Sequence, residues 1–143
     1  MTKTIRVLIA DNNPQFLQQL ALFLEQQDGI SVVYTARDGQ GAVDACRESL
    51  PDLAVIDLHL PVLDSIRAIK LIVAQNEHIK ILGMSEIPND RYAIEAVKAG
   101  ASGFVKKNDS LSYPEIASAI RQVAQGEVVL NPILASNILE EFS

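Results

Sequence analysis

The sequence has few of the residues that build disulfide frameworks, base-stacking surfaces and membrane spans. Cys46 is the only cysteine among 143 residues, which excludes an internal disulfide and a cysteine cluster for a metal ion. There is no tryptophan, and three tyrosines with four phenylalanines are too few to favour a platform for stacked nucleic-acid bases. No apolar run reaches the length of about 20 residues that crosses a bilayer.

Basic residues are also scarce relative to acidic ones. Lys and Arg number 12 against 18 Asp and Glu, which gives a formal net charge of -6. A domain that binds DNA or RNA usually carries a basic patch, so we expect no direct nucleic-acid contact by this segment. The N-terminal stretch "MTKTIRVLIAD" lacks the cleavage pattern of a secretory signal. We therefore expect a soluble, cytoplasmic protein that makes no contact with a membrane.

What the chain does contain is a regular alternation of short apolar runs and amphipathic stretches. Because the apolar runs do not alternate with polar residues, they indicate strands of a sheet that helices cover on both faces. Right-handed crossovers then favour an α/β fold, a flavodoxin-like doubly wound three-layer sandwich whose five-stranded parallel sheet has the order 2-1-3-4-5. The predicted strands are residues 5–10, 31–36, 53–57, 79–84 and 103–106.

Two local signals predict where helices begin. Pro14 suits the first position of the helix that follows the first strand, because its missing N–H needs no partner there. Ser112 and Glu115 have the spacing of a capping box at the start of the fifth helix.

The C-terminal end of the chain is expected to form a segment of its own. Asn131 can cap an extra C-terminal helix that begins at Pro132. We expect residues 1–126 to form the main domain and residues 127–143 a linker with this helix. Either the helix docks on the domain, or it pairs with another copy or leads to a further domain. Its apolar positions are Leu134, Ile138, Leu139 and Phe142.

Polar side chains follow four of the five predicted strands. They are Asp11, Asn12 and Asn13 after the first strand, Asp57 and His59 after the third, Ser85 after the fourth and Lys107 after the fifth. In an open parallel sheet, ligands bind beyond the carboxyl ends of the strands, where the strand order reverses. The sequence therefore predicts that these side chains converge on one cleft.

These residue types suit phosphoryl transfer. Asp57 can act as a nucleophile, since carboxylates form aspartyl phosphates. Asp11 and Asp57 can hold Mg²⁺, which prefers carboxylates, waters and phosphate oxygens. Lys107 can supply a cation, and the hydroxyl of Ser85 can hydrogen-bond a phosphate oxygen.

In order and spacing, the blocks "VLIADNNP", "PDLAVIDLHLP", "ILGMS" and "GASGFVKKN" resemble the receiver domain of two-component response regulators. The resemblance covers residues 5 to about 126. It implies a signalling switch, not an enzyme with a separate substrate, which takes a phosphoryl group from a sensor histidine kinase with Mg²⁺ and assists its own hydrolysis. The roles it implies are Asp57 as phosphoacceptor, Asp11 as metal-site acid, the His59 carbonyl as metal ligand, Ser85 as switch hydroxyl, Phe104 as switch aromatic and Lys107 as cationic partner.

The C-terminal tail carries a second resemblance. "GEVVLNPILASNILEEF" is similar to the connecting segment of LuxR-type, nitrate/nitrite-regulator-like response regulators, in which a helix-turn-helix domain follows. This implies control of transcription through an output domain that lies outside this chain. It also leaves open a homodimer.

The chain departs from the receiver pattern at four positions. Asn12 replaces the second acid after the first strand, so this loop offers the metal an uncharged amide oxygen and we expect weaker Mg²⁺ binding. Glu86 replaces a small residue, Asn108 a proline, and Ser65 a glycine in the loop after the phosphoacceptor. Asn12 keeps open an alternative: a degenerate receiver that acts as a phosphorylation-independent protein-interaction module.

Two other protein classes fit the residues less well. A haloacid-dehalogenase-type phosphatase needs a second Asp two residues after its nucleophile, and position 59 is His. A flavodoxin-like electron carrier would bind the flavin phosphate in an uncharged loop after the first strand, where Asp11 would repel it.

Overall fold

A computed structural model describes residues 3–87, 91–108 and 110–141. Strands and helices alternate along these residues, as the apolar runs predict. The strands are β1 (Ile5–Ala10), β2 (Ile30–Ala36), β3 (Leu53–Asp57), β4 (Lys80–Ser85) and β5 (Gly103–Lys106). The helices are α1 (Pro14–Glu25), α2 (Gly39–Ser49), α3 (Ser65–Gln75), α4 (Arg91–Ala99), α5 (Tyr113–Ala124) and α6 (Pro132–Glu141).

The five strands form one parallel sheet in the order β2-β1-β3-β4-β5, which confirms the predicted fold class and topology. The strand bounds agree with the sequence prediction to within one residue. The shift at β4 matters, because it brings Ser85 into the strand itself. β1 and β3 lie at the centre of the sheet, and the chain leaves them in opposite directions, which opens a crevice between the loops at their carboxyl ends.

Successive residues of the central strands face two separate apolar layers. Leu8 and Ile56 pack toward α2, α3, α4 and α6, whereas Ile9 and Val55 pack toward α1 and α5. All four side chains are buried. The strands are therefore apolar throughout because each of their faces is covered by helices.

Polar side chains cap the first amides of α1, α2, α3 and α6, whereas α5 has no side-chain cap. Asn13 caps α1 by accepting hydrogen bonds from the amides of Gln15 and Phe16. The predicted capping box of α5 is wrong. Ser112 occupies the N-cap position but has helical backbone angles, φ -90° and ψ -11°, and its side chain makes no cap hydrogen bond. An N-cap side chain reaches the helix amides from an extended backbone; the Ser112 hydroxyl instead accepts from the amide of Asn108 at 2.9 Å.

The C-terminal segment docks on the domain, the first of the two interpretations that the sequence left open. Val129 runs beside β5, where its carbonyl oxygen accepts the amide of Phe104 at 2.9 Å and its amide donates to Ser102 at 3.1 Å. α6 then packs against α4, and Lys98 of α4 pairs with Glu141 of α6 at 2.8 Å. The division of the chain at residue 126 stays a prediction.

The apolar positions of α6 do not all face the domain. Asn131 caps the helix by accepting the amide of Leu134 at 2.7 Å, as expected. Leu134 and Ile138 are buried. Leu139 is 73% exposed, because one residue beyond Ile138 the helix has turned by about 100°. Phe142 lies outside the described residues. Within the described part of the chain, no helix combines the length and apolar character that a membrane span requires.

The buried thiol of Cys46 provides a test of this packing. Cys46 lies on the buried face of α2, and burial raises the pKa of its thiol to about 12. Because the thiolate is the reactive form, we expect a thiol reagent at pH 8 to modify the native protein at least roughly 100-fold more slowly than the urea-unfolded protein. The release of a chromophoric thiol measures both rates. Equal rates would contradict the packing of α2.

Candidate functional site

The carboxyl ends of β1, β3, β4 and β5 surround a cleft of about 310 Å³. All seven polar residues that the sequence placed after the strands line it, so the predicted convergence is observed. Two further residues, both from the β4–α4 loop, complete the lining. The lining residues are Asp11, Asn12, Asn13, Asp57, His59, Ser85, Glu86, Ile87 and Lys107.

One lysine contacts both carboxylates at the floor of the cleft. Lys107 Nζ lies 2.7 Å from Asp11 Oδ2 and 2.9 Å from Asp57 Oδ2. The exposed fractions are 6% for Lys107, 0% for Asp11 and 8% for Asp57, so the ion pairs are largely out of water. The amide of Lys107 donates to the carbonyl oxygen of Ser85 at 2.8 Å, which fixes the backbone of the lysine to the end of β4.

A single cation serves two carboxylates here, and the pKa values reflect this. Burial raises the pKa of Asp11, and the charge of Asp57 raises it further, although Lys107 and the amide of Asn13 act in the opposite direction. Burial alone would lower the pKa of Lys107, but its contacts with Asp11 and Asp57 outweigh burial and the pKa is raised. The ionised form of Asp11 is therefore held in the fold at a cost to stability.

The donor set fits a hard cation with few protein ligands. Asp11 Oδ2 is buried and lies 2.7 Å from Lys107 Nζ at the floor of the cleft. Asn12 is exposed at the rim of the same cleft. Among the residues described, no group of three or more His, Cys, Asp or Glu side chains is placed to hold a metal. Two carboxylates, an amide oxygen and backbone carbonyls suit Mg²⁺, which keeps several waters, and do not suit Zn²⁺.

The backbone and the side chain of His59 make different contacts. Its amide donates to Asp57 Oδ1 at 2.7 Å and so fixes one oxygen of the carboxylate. Its ring lies 5.1 Å from the ring of Tyr92 in α4. The side chain of His59 therefore points toward the start of α4, whereas its backbone belongs to the cleft.

Ser85 and Phe104 differ in their relation to the cleft. Ser85 is buried, and its hydroxyl oxygen accepts the amide of Ile87 at 3.1 Å, which ties it to the β4–α4 loop. Phe104 does not line the cleft. It is buried in the apolar layer beneath α4 and precedes Lys106 by two residues in β5.

Sequence reasoning also missed Phe16, which contacts the lysine of the site from α1. The ring centroid of Phe16, in α1, lies 4.6 Å from Lys107 Nζ, a cation–π distance. Phe16 also packs edge-on against Tyr113 of α5 at 5.6 Å. In the sequence Phe16 is one more apolar residue of a helix, so no local signal distinguishes it from the core.

A comparison with protein families matches residues 7–121 to the response regulator receiver domain. The chain belongs to the response-regulator receiver family. The resemblance of the four sequence blocks to receivers is thereby confirmed. Membership of this family implies its general role, that of a domain that acts in two-component signal transduction.

Individual receivers agree with this assignment. The transcriptional regulatory proteins LiaR and LnrK of Bacillus subtilis (strain 168) are 33% and 30% identical over 94% and 96% of this chain. The chain spans 63% and 62% of their lengths. A LuxR-family two-component response regulator from Aurantimonas sp. SI85-9A1 superposes with a TM-score of 0.85 at 31% identity, covering 97% of this chain and 98% of that one. The receiver domain of the putative response regulator NarL from Mycobacterium tuberculosis gives 0.78 at 27% identity, covering 87% and 99%.

The cost of holding Asp11 ionised leads to a stability prediction for this receiver. A carboxyl whose pKa is raised above its unfolded value, 3.8, contributes stability below that pH and loses it as the pH rises through the folded pKa. Asp11→Asn removes this loss and keeps an oxygen for the amide of Asn13. We expect the free energy of unfolding at pH 7 to rise by about 1 kcal/mol, a gain that disappears below pH 3.8.

Urea unfolding followed by circular dichroism at pH 7 and at pH 3.5 measures the difference. Asp44→Asn, on the exposed face of α2, removes the same charge away from the cleft and is the control. A destabilised Asp11→Asn protein at pH 7 would show that the ion pair with Lys107 outweighs burial.

Proposed function

We propose that this receiver accepts a phosphoryl group on Asp57 from a sensor histidine kinase, in the presence of Mg²⁺, and acts as a phosphorylation-dependent signalling switch. The observation that carries the proposal is the placement of Asp57. Its carboxylate lies at the end of β3, bound by Lys107 on one oxygen and by the amide of His59 on the other. A nucleophile in a cleft with a cation beside it has the arrangement that phosphoryl transfer requires.

The transfer step forms one bond and breaks one. An Asp57 oxygen attacks the phosphorus of a phosphohistidine, and the N–P bond breaks. The electron pair of that bond passes to the imidazole nitrogen, which leaves as neutral imidazole when the other ring nitrogen carries a proton. Mg²⁺ supplies charge neutralisation at the phosphoryl oxygens when it is bound. Asp11, Asp57, the amide oxygen of Asn12 and the carbonyl of His59 would hold it.

Phosphorylation changes which partners Lys107 and Ser85 bind. Lys107 now divides its charge between Asp11 and Asp57, and the phosphoryl oxygens provide a stronger anionic partner. The hydroxyl of Ser85 can donate to the same group, which draws the β4–α4 loop inward. α4 and the buried ring of Phe104 follow this loop in our proposal. To convert a switch from 1% to 99% active, the new contacts must favour the active state by about 5.5 kcal/mol.

We extend the proposal to the biological setting. LiaR and LnrK bear the name transcriptional regulatory protein, which supports control of transcription through an output domain outside this segment. The net charge of -6 supports an output that depends on protein contacts, with no nucleic-acid contact by the receiver itself. We propose a cytoplasmic location, beside the kinase domain of the sensor, and a homodimer as the form that the switch controls.

The first test is the phosphorylation of Asp57. Incubation with a small-molecule phosphodonor and Mg²⁺ should add one phosphoryl group, seen by intact-mass spectrometry as a single adduct. Asp57→Ala should abolish the adduct, because the variant lacks the oxygen that attacks phosphorus in the proposed step. Asp44→Ala, which removes an exposed Asp from α2, should leave it unchanged. An undiminished adduct on Asp57→Ala would refute the site assignment. Absence of any adduct on the folded wild type would favour the phosphorylation-independent interaction module.

The second test addresses the missing acid at position 12. Asn12→Asp adds a carboxylate at the rim of the cleft, and Lys107 stays the basic residue of the lining. We expect the Mg²⁺ concentration for half-maximal phosphorylation to fall on the order of tenfold, since one more negative charge attracts the metal. Asn76→Asp adds the same charge at the end of α3, outside the cleft, and should change nothing. An equal Mg²⁺ requirement in Asn12→Asp and wild type would mean that position 12 does not face the metal.

A further inference from the structure

The hydroxyl of Ser65 is bound to the backbone of the phosphoacceptor. Ser65 is the first residue of α3, is 1% exposed, and stands where receivers commonly have glycine. Its Oγ donates to the carbonyl oxygen of Asp57 at 2.7 Å and accepts from the amide of Leu60 at 3.0 Å. One hydroxyl thus joins the two ends of the segment 57–60. A glycine at this position has no group that can do so.

The segment 57–60 contains the groups on which the proposed function depends. It carries the carboxylate of Asp57, and the amide of His59 holds one oxygen of that carboxylate at 2.7 Å. Pairing between β1 and β3 ends at Ile56. Beyond that residue the sheet holds the segment only from the β4 side, where the amide of Leu58 donates to the carbonyl oxygen of Met84 at 2.9 Å. The orientation of the Asp57 carboxylate therefore depends on a turn that Ser65 ties together.

The next part of the same loop is strained, which makes its anchors important. Val62 has φ +72°, a left-handed conformation that a β-branched residue rarely adopts. It is the centre of a γ-turn in which the amide of Leu63 donates to the carbonyl oxygen of Pro61 at 2.9 Å. Such a conformation persists only when its surroundings hold it. Ser65 holds the loop at the phosphoacceptor, and the amide of Gly39 holds Pro61 at 3.1 Å.

Gly39 also shows how closely the loop lies on α2. A Cβ atom at this position would stand 1.9 Å from the carbonyl oxygen of Leu63, so only glycine allows the contact. The loop is therefore fixed on its outer side by α2 and on its inner side by the Ser65 hydroxyl. If the inner contact is removed, the outer one remains, and the effect falls on segment 57–60.

We propose that Ser65 is a positioning residue for phosphoryl transfer: its hydroxyl holds the Asp57–Leu60 turn so that the Asp57 carboxylate and the His59 carbonyl face the cleft together. The inference rests on the proposed function. Loss of groups that orient metal ligands typically lowers metal affinity 10- to 100-fold. We expect Ser65→Ala and Ser65→Gly to raise the Mg²⁺ concentration for half-maximal phosphorylation about tenfold, with the rate at saturating Mg²⁺ changed less than about twofold. Ser65→Thr keeps the hydroxyl and should restore much of the affinity.

The experiment uses three measurements on the same variants. Calorimetric titration gives Mg²⁺ affinity in the absence of any phosphodonor. NMR of metal-free protein measures the rates of hydrogen exchange at the His59 and Leu60 amides. The Mg²⁺ dependence of the phosphoryl adduct gives the half-maximal concentration. Val62→Gly relieves the strained turn and leaves both Ser65 hydrogen bonds, and Val123→Ala lowers stability from the far side of the sheet. Neither control should change the Mg²⁺ affinity.

The outcomes separate this inference from the proposed function. Weaker Mg²⁺ binding and faster exchange of the His59 amide in Ser65→Ala, with both controls like wild type, would support the positioning role even if no variant is phosphorylated. Wild-type Mg²⁺ affinity and His59 exchange in Ser65→Ala would overturn it, even if Asp57 proves to be the phosphoacceptor. An equal loss of affinity in Val123→Ala would also overturn it, since general stability would then explain the effect.

Discussion

The structure of the cleft depends on one buried cation placed between two carboxylates. Lys107 reaches Asp11 Oδ2 at 2.7 Å and Asp57 Oδ2 at 2.9 Å, and without it two negative charges would face each other out of water. Removing the lysine would leave both buried carboxylates without a counter-ion, and an uncompensated buried charge typically costs about 3–5 kcal/mol. The same contact restrains function, because any incoming anion competes with both carboxylates for the lysine. In our proposal, the lysine is bound to both carboxylates in the resting receiver, and phosphorylation of Asp57 would transfer it to the phosphoryl oxygens.

Much of the fold could be predicted from the sequence because the signals were local and repeated. Leu8 and Ile9 are both apolar since adjacent residues of a central strand face different helix layers, and this pattern indicates a doubly wound sheet. Once the topology was fixed, the polar residues after the strands had to meet at the same edge. The convergence of Asp11, Asp57 and Lys107 was therefore predictable without knowledge of any distance.

The features that sequence reasoning missed all depend on tertiary geometry. Ser112 has the residue type and spacing of a cap, but its helical backbone turns the hydroxyl to Asn108. Phe16 has the character of a core residue, and only the fold brings α1 beside the residue that follows β5 and places the Phe16 ring 4.6 Å from the Lys107 ammonium. Ser65 was recognised as an exception to a pattern, yet the pattern could not reveal which backbone groups its hydroxyl would bind. A side chain's partners across the fold are not encoded in its neighbours along the chain.

The departures from the receiver pattern at positions 12 and 65 both bear on how accurately the proposed metal ligands must be aligned. A carboxylate attracts a cation over several ångströms, almost regardless of small errors in its direction, because its charge acts at a distance. The neutral groups that we propose as ligands, the amide oxygen of Asn12 and the carbonyl of His59, would act through dipoles, so their contribution would fall quickly when they are misaligned. A cleft with one carboxylate fewer therefore relies more on the accuracy of its backbone. In our proposal, the hydroxyl of Ser65, bound to the backbone of Asp57 and Leu60, supplies that accuracy at the segment where it is needed.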